Sequence, residues 1–237
     1  MRKVFAKTQN VKNFINMMNN LIKRAEGVPG MALVYGDPGL GKTQAVLWWA
    51  TQNDAIVVRC TNIMTARWLL EEIVEELGEV PFYRCSDLFK QCVYLLKNCN
   101  KVIIIDEIDY LITSSNVVEI LRDLHDKTFV PIVLVGMGKA DKKLLRYRHF
   151  YDRLSEKLKF EQFNIKDLTE ICNQLSEVEL TDCAIKYIFD HTKRFRQIVK
   201  IINKYESIAK DNGLSVLDET SVKQFESDLF IELYKGN

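Results

Sequence analysis

The stretch Gly36-Asp37-Pro38-Gly39-Leu40-Gly41-Lys42-Thr43 fits the pattern G-x-x-x-x-G-K-[ST] and constrains everything else in the chain. An apolar run, Met31 to Tyr35, precedes it, and a helix-compatible run, Gln44 to Ala50, follows. A loop of this kind must leave a buried strand, turn sharply and present successive backbone N–H groups at the start of a helix, where the dipole favours an anion. Gly36, Gly39 and Gly41 suit that task because a side chain would block close approach or exclude the dihedrals required. Lys42 is then placed to reach the β- and γ-phosphates of a nucleotide, and the Thr43 hydroxyl to ligate Mg²⁺. All eight residues from Gly36 to Thr43 are therefore candidate nucleotide-binding residues.

A site of this type needs a carboxylate for the metal, and the segment from Lys101 to Asp109 supplies one. Its β-branched run, Val102 to Ile105, shows no alternation, as expected of a parallel strand buried on both faces. Asp106 falls where that strand ends. Ligands gather at the carboxyl ends of strands in open α/β sheets, so Asp106 can hold Mg²⁺ through water while Glu107 orients an attacking water.

Length and composition allow this architecture. A chain of 237 residues buries a substantial core, and 47% hydrophobic with 27% charged residues is the balance of a folded protein. The net charge of +1 excludes a protein that binds nucleic acid through bulk charge, so any DNA contact must come from a local patch. Six cysteines form no C-x-x-C pair, which argues against a zinc site or a dithiol redox motif. Cys85, Cys92 and Cys99 recur every seven residues, the spacing of one helical stripe, and read as small buried apolar side chains. No signal peptide and no apolar run near the ~20 residues of a membrane span is visible, so no membrane association and a cytoplasmic location are expected.

In chain order, Thr8 can cap a first helix through Val11, Phe14, Met18 and Leu21. Ala55 to Cys60 reads as a second strand. The helix after it turns Trp68, Leu69, Ile73 and Val74 inward and ends at Gly78. Ser86 can cap the helix that leads to the Asp106 strand, Val117 to His125 looks helical, and Val130 to Gly136 is a further buried strand. Strands alternating with helices predict an α/β fold with a parallel sheet covered on both faces. From Asn164 onward the pattern changes to helices without strands: Asn164 to Leu175, Leu180 to Asp190, Lys193 to Ala209 and Glu219 to Tyr234. The expected division is an α/β nucleotide-binding core over 1–163, with residues 1–30 its first helix and linker, and a small helical lid over 164–237.

Phosphate loop, Asp-Glu strand end, further strand and helical lid together resemble the order in AAA+ P-loop ATPases. Within that group the chain looks most like the ATP-dependent target-selection family of transposition, comprising the B proteins of Mu-type phages and the TnsC and TniB regulators. The segments that carry the resemblance are Thr8 to Val11, Gly36 to Thr43, Cys60-Thr61-Asn62, Ile104 to Glu107, Val133 to Gly136 and Tyr151 to Ser155. It implies ATP and Mg²⁺ as cofactors, ATP hydrolysis with Glu107 catalytic, an ATP-dependent ring or helical filament of identical subunits, duplex DNA bound through its backbone, and a transposase as partner. It also places Arg196 where a lid arginine touches the γ-phosphate, and Arg153 or Arg148 in the region that lends an arginine finger to the neighbouring subunit. A guanidinium there would neutralise charge on the transferring phosphoryl group.

The chain departs from the family after the Val133 strand, where a polar residue, often Asn, is usual. Here the slot reads Gly136-Met137-Gly138, and a thioether is a weak acceptor. Slow turnover is the expectation. For DNA, residues 139–159 hold eight Lys/Arg, among them Lys139, Lys142, Lys143 and Arg146, against three acids. That excess could track phosphates or serve a subunit interface. The turn Thr61 to Arg67, with Thr65 and Arg67, is the other candidate, as a DNA-facing loop or a helix N-cap. Neither stretch interleaves aromatics, so contacts independent of base sequence are expected. The rival readings are a helicase loader or replication initiator with the same ATP chemistry, and, further off, a small-molecule P-loop kinase or a secretion-system ATPase.

Overall fold

A computed structural model describes residues 2, 4–192 and 194–224 of the chain. Tertiary contacts divide it into two compact units. The larger consists of Asn13–Asp37 and Lys42–Phe160, the smaller of Pro38–Gly41 with the described residues of 1–12 and 161–237.

The larger unit is built on five strands: β1 (Met31–Gly36), β2 (Ile56–Arg59), β3 (Ile103–Asp106), β4 (Ile132–Met137) and β5 (Leu154–Phe160). All pairings are parallel, in the order β2-β3-β4-β1-β5. Helices α1 (Gln9–Ile22), α2 (Lys42–Asn53), α3 (Ala66–Glu76), α4 (Cys85–Lys97) and α5 (Ser115–Thr128), with the short α6 (Ala140–Leu144) and α7 (Arg148–Tyr151), belong wholly or in part to this unit. The unalternating runs of β1, β3 and β4 are buried except for half-buried Tyr35 and exposed Met137 at the carboxyl ends of β1 and β4, as the sequence predicts for strands covered on both faces. Leu33, Ile105 and Leu134 lie in one apolar core with Ile73, Leu88 and Leu121. Burying each such side chain contributes about 1.5–3 kcal/mol. Phe14 meets Trp49 and Phe160 edge-on, with ring centroids 6.5 and 6.4 Å apart.

Several local expectations are corrected. β5 was not anticipated as a strand; its residues alternate between half-buried and exposed because it is an edge strand paired with β1 alone, and its charged positions read as part of a basic stretch. Cys85 is exposed and Cys99 lies beyond the end of α4; only Cys92 of the supposed stripe is fully buried, and burial pushes its thiol up to about 12. Ser86 falls inside α4, which starts one residue earlier. Gly78 follows α3 with φ +83°, as expected of a helix-terminating glycine.

In the smaller unit, α8 (Ile165–Leu175), α9 (Asp182–His191), α10 (Phe195–Asp211) and α11 (Glu219–Gln224) enclose a core that includes Leu168, Ile185, Ile198, Ile202 and Tyr205. Asn164 and Asp167 cap α8 reciprocally, and Thr181 caps α9. Asp167 also accepts the Gln9 amide at 2.9 Å, and Asn10 donates to the Glu161 carbonyl at 2.8 Å. The expectation of no strands here is corrected by a parallel pair of two residues each, β6 (Glu179–Leu180) and β7 (Val216–Leu217), too short to register in the sequence. The part of the predicted last helix beyond residue 224, and Lys193 at the start of another, lie outside the described residues.

Candidate nucleotide site

Residues 36–43 connect the carboxyl end of β1 to the first residue of α2. Gly39 and Gly41 hold φ of +83° and +87°, a conformation costly for residues with a Cβ. Gly36 is required for space: a Cβ there would lie 2.6 Å from the carbonyl oxygen of Phe160. The α2 N-terminus begins at Lys42, so its unsatisfied N–H groups are available to an anion.

The Lys42 ammonium donates to the carbonyls of Gly36 at 2.7 Å and Asp37 at 2.8 Å, curling back over the start of the loop. Burial lowers its pKa, and the charges of Asp106, Asp109 and Asp37 oppose that shift. Those three carboxylates favour the charged form of this half-buried lysine, the form that binds phosphate.

Asp106 ends β3 and is only 4% exposed. Its Oδ2 accepts the Thr43 hydroxyl at 2.8 Å, and its Oδ1 accepts the Glu107 amide at 2.9 Å. Burial raises its pKa, against the Thr43 hydrogen bond. A carboxylate beside a hydroxyl, both hard oxygen donors, fits a small divalent cation. Among the described residues no group of three or more His, Cys, Asp or Glu could hold a metal. That donor set suits Mg²⁺, which takes one or two protein oxygens and fills its other positions with water and phosphate.

Glu107 follows with φ +57° and ψ +37°, a left-handed conformation rare for a non-glycine residue. Its carboxylate is held by Arg59, whose Nη2 and Nε lie 2.6 and 3.2 Å from Oε1. This partner escaped the sequence reading. The signal that could have found it is register: Arg59 ends β2 directly opposite Asp106. Asp109 was also missed as a site residue. From the 3-10 turn Ile108–Tyr110 after β3, its Oδ2 accepts the Met137 amide at the end of β4, and its Oδ1 lies 3.4 Å from the Lys143 ammonium.

The remaining predicted residues fall in different settings. Arg153 binds both oxygens of Asp126, at 3.1 and 2.8 Å, and donates to the His149 carbonyl at 2.7 Å. Arg148 opens α7, is exposed, and its side chain has no hydrogen-bond or ion-pair partner among the described residues. Arg196, exposed in the first turn of α10, follows Phe195, whose amide donates to the Gly39 carbonyl at 2.8 Å. Thr65 caps α3 by accepting the Trp68 amide at 3.2 Å. Arg67 is tied to Glu71 at 2.7 Å, donates to the Tyr83 carbonyl and lies 5.5 Å from the centre of the Tyr83 ring. Lys139, Lys142 and Arg146 are exposed and their side chains have no partner among the described residues, whereas Lys143 is half-buried.

Residues 25–144, just over half the chain, match the family model described as "AAA domain". Over 139 residues the chain is 31% identical to the "ATP-dependent target DNA activator B" of Escherichia phage Mu, an alignment covering 56% of this chain and 41% of that protein. The chain therefore spans well under half the length of this relative. Among solved structures, the ORC2 protein of Aeropyrum pernix in "ADPNP-ADP complexes" superposes with a TM-score of 0.70 at 17% identity, covering 93% of this chain and 67% of that one. The ORC1 protein of the same organism "in complex with DNA" superposes with a TM-score of 0.63 at 16% identity, covering 96% and 66%. Among the described residues no helix is long and apolar enough to cross a membrane. The chain belongs to the family whose model is described as "AAA domain".

Proposed function

We propose that this protein is an ATP-switched, cytoplasmic DNA-binding ATPase that assembles on duplex DNA without sequence preference and delivers that DNA as target to a transposase. The observation that carries the DNA part is the segment after β4. Lys139, Lys142 and Arg146 are exposed there, without ion-pair partners among the described residues, in a chain whose net charge is only +1. The likeness to the phage Mu target DNA activator supports the transposition role.

In this reading the loop amides of residues 36–43 and the Lys42 ammonium bind the ATP phosphates. Thr43 and Asp106 would hold Mg²⁺, which when bound neutralises charge on the transferring phosphoryl group. Glu107 orients the attacking water and takes its proton, which requires its carboxylate to leave Arg59. Arg148 serves as the finger to a neighbouring subunit: a finger must be free to cross an interface, and Arg153 is already committed to Asp126. Turnover is slow because Met137 offers no strong hydrogen bond at the β4 end.

The test is steady-state ATP hydrolysis by the isolated protein, with and without a random-sequence duplex, beside Glu107→Gln. Slow basal turnover that duplex DNA accelerates, with hydrolysis abolished and DNA retained in the variant, is the expected result. Fast hydrolysis indifferent to DNA contradicts the reading.

A further inference from the structure

The end of β4 offers no side chain able to hydrogen-bond a phosphate, yet it lies against the phosphate loop. Met137 is paired in register with Gly36, and a Cβ on Gly138 would sit 3.0 Å from Asp37 Oδ1. Into this place comes Asp109, whose side chain is only 10% exposed. Its Oδ2 accepts the Met137 amide and lies 2.9 Å from where a Cβ on Gly136 would be, so only glycine fits beside it. Its charge reaches Lys42 on one side, and its Oδ1 faces the Lys143 ammonium on the other.

We infer that Lys143 is the group that binds the γ-phosphoryl of ATP, in place of the polar side chain missing from the end of β4, and that Asp109 is its positioning residue. The inference rests on the nucleotide-site reading above. The 3.4 Å separation of Lys143 Nζ from Asp109 Oδ1 is longer than the roughly 2.7–2.9 Å of a closed charge-assisted hydrogen bond, so the ammonium is guided without being locked. A third phosphoryl group brings negative charge toward Asp106 and Asp109, and Lys42 alone faces three acids already. A second cation offsets that repulsion. ADP, ending one phosphoryl short, does not need it, so the pair favours ATP over ADP. Lys143 is half-buried where Lys139 and Lys142 are exposed, which separates it from the segment assigned to DNA.

Calorimetric titration of ATPγS and of ADP into the wild type, Lys143→Met, Lys143→Arg, Asp109→Asn and the Asp109→Asn/Lys143→Met double variant tests this. Lys143→Met is expected to weaken ATPγS binding by about tenfold or more, the loss of one hydrogen bond to a charged group, with ADP affinity unchanged. Lys143→Arg restores most of the loss. Asp109→Asn weakens ATPγS less, and the double variant is no weaker than Lys143→Met alone, because Asp109 acts through Lys143. Equal losses for both nucleotides, no loss for either, or additive losses in the double variant overturn the inference while leaving the nucleotide site standing. A wild type that binds neither nucleotide overturns the site reading and this inference with it.

Discussion

The guanidinium of Arg59 grips the carboxylate of Glu107, with Nη2 2.6 Å from Oε1, across the carboxyl ends of two neighbouring strands. The hydrogen bond to Glu107 holds the Arg59 pKa above its ordinary value. A carboxylate in this pair is not free to orient water, so in the role proposed for Glu107 hydrolysis waits for the pair to open. Arg59 is exposed and Glu107 half-buried, and pairs open to solvent in this way are worth about 0.2–1 kcal/mol. Arg59→Ala should therefore raise basal ATP turnover modestly, by about two- to fivefold, without changing ATP affinity. An assay showing reduced turnover would assign Arg59 a direct role in the reaction.

The Thr43–Asp106 hydrogen bond joins the two residues proposed to hold Mg²⁺. Thr43→Ala and Asp106→Asn should both weaken nucleotide binding in the presence of Mg²⁺ far more than in EDTA. Calorimetric titrations with and without the metal measure the difference; equal losses in both conditions would indicate a structural role.

Arg148 and Arg153 separate by what each already binds. Arg153→Ala removes an exposed ion pair with Asp126 and should cost at most about 1 kcal/mol of stability, an effect that Asp126→Ala reproduces. Arg148→Ala should leave stability unchanged and abolish the DNA-stimulated part of hydrolysis. Denaturation midpoints and stimulated rates for the three variants decide between them.

Replacing Lys139, Lys142 and Arg146 together by alanine should weaken binding to all duplex sequences alike and flatten the slope of log affinity against log salt by about three. Arg67→Ala should leave that slope unchanged, since its guanidinium is occupied by Glu71 and Tyr83. Fluorescence anisotropy at several salt concentrations reads both.

His125 is buried and neutral by construction of its partners: Nε2 accepts the Gly30 amide, so Nδ1–H donates to the Val130 carbonyl, each at 3.0 Å. Burial lowers its pKa below the ordinary 6.5, with nearby Asp126 acting against the shift and Arg24 and Arg153 with it. Protonation is thus favoured by the unfolded chain. The stability this histidine contributes is fully present above pH 6.5 and is lost as pH falls through its lower folded value. His125→Ala should cost about 2–4 kcal/mol, leaving two buried backbone groups unpaired, and should remove this part of the acid sensitivity. Urea unfolding at neutral and mildly acidic pH measures both.

The parts of the fold legible in the sequence were those where one chemistry dominates a stretch. Val102 to Ile105 could only be a doubly covered strand, and Gly39 and Gly41 stand at left-handed positions that a phosphate loop demands. β5 was not legible because an edge strand carrying Glu156, Lys157 and Lys159 has the composition of a solvated segment. The two-residue strands of the smaller unit have too few residues to show a period. At the site, Thr43 and Asp106 could be paired from the motif alone. Arg59 and Asp109 reach theirs through strand register and a 3-10 turn, and no local pattern encodes those neighbours. The same holds for the difference between Arg148 and Arg153, which turns on the position of Asp126 in α5.

The most direct measurement is electron microscopy of the protein with a random-sequence duplex, in ATPγS and in ADP. The account predicts rings or helical filaments coating the DNA in ATPγS and bare DNA in ADP. Protein that stays off the duplex in both nucleotides, or coats it equally in both, contradicts an ATP-switched assembly on DNA.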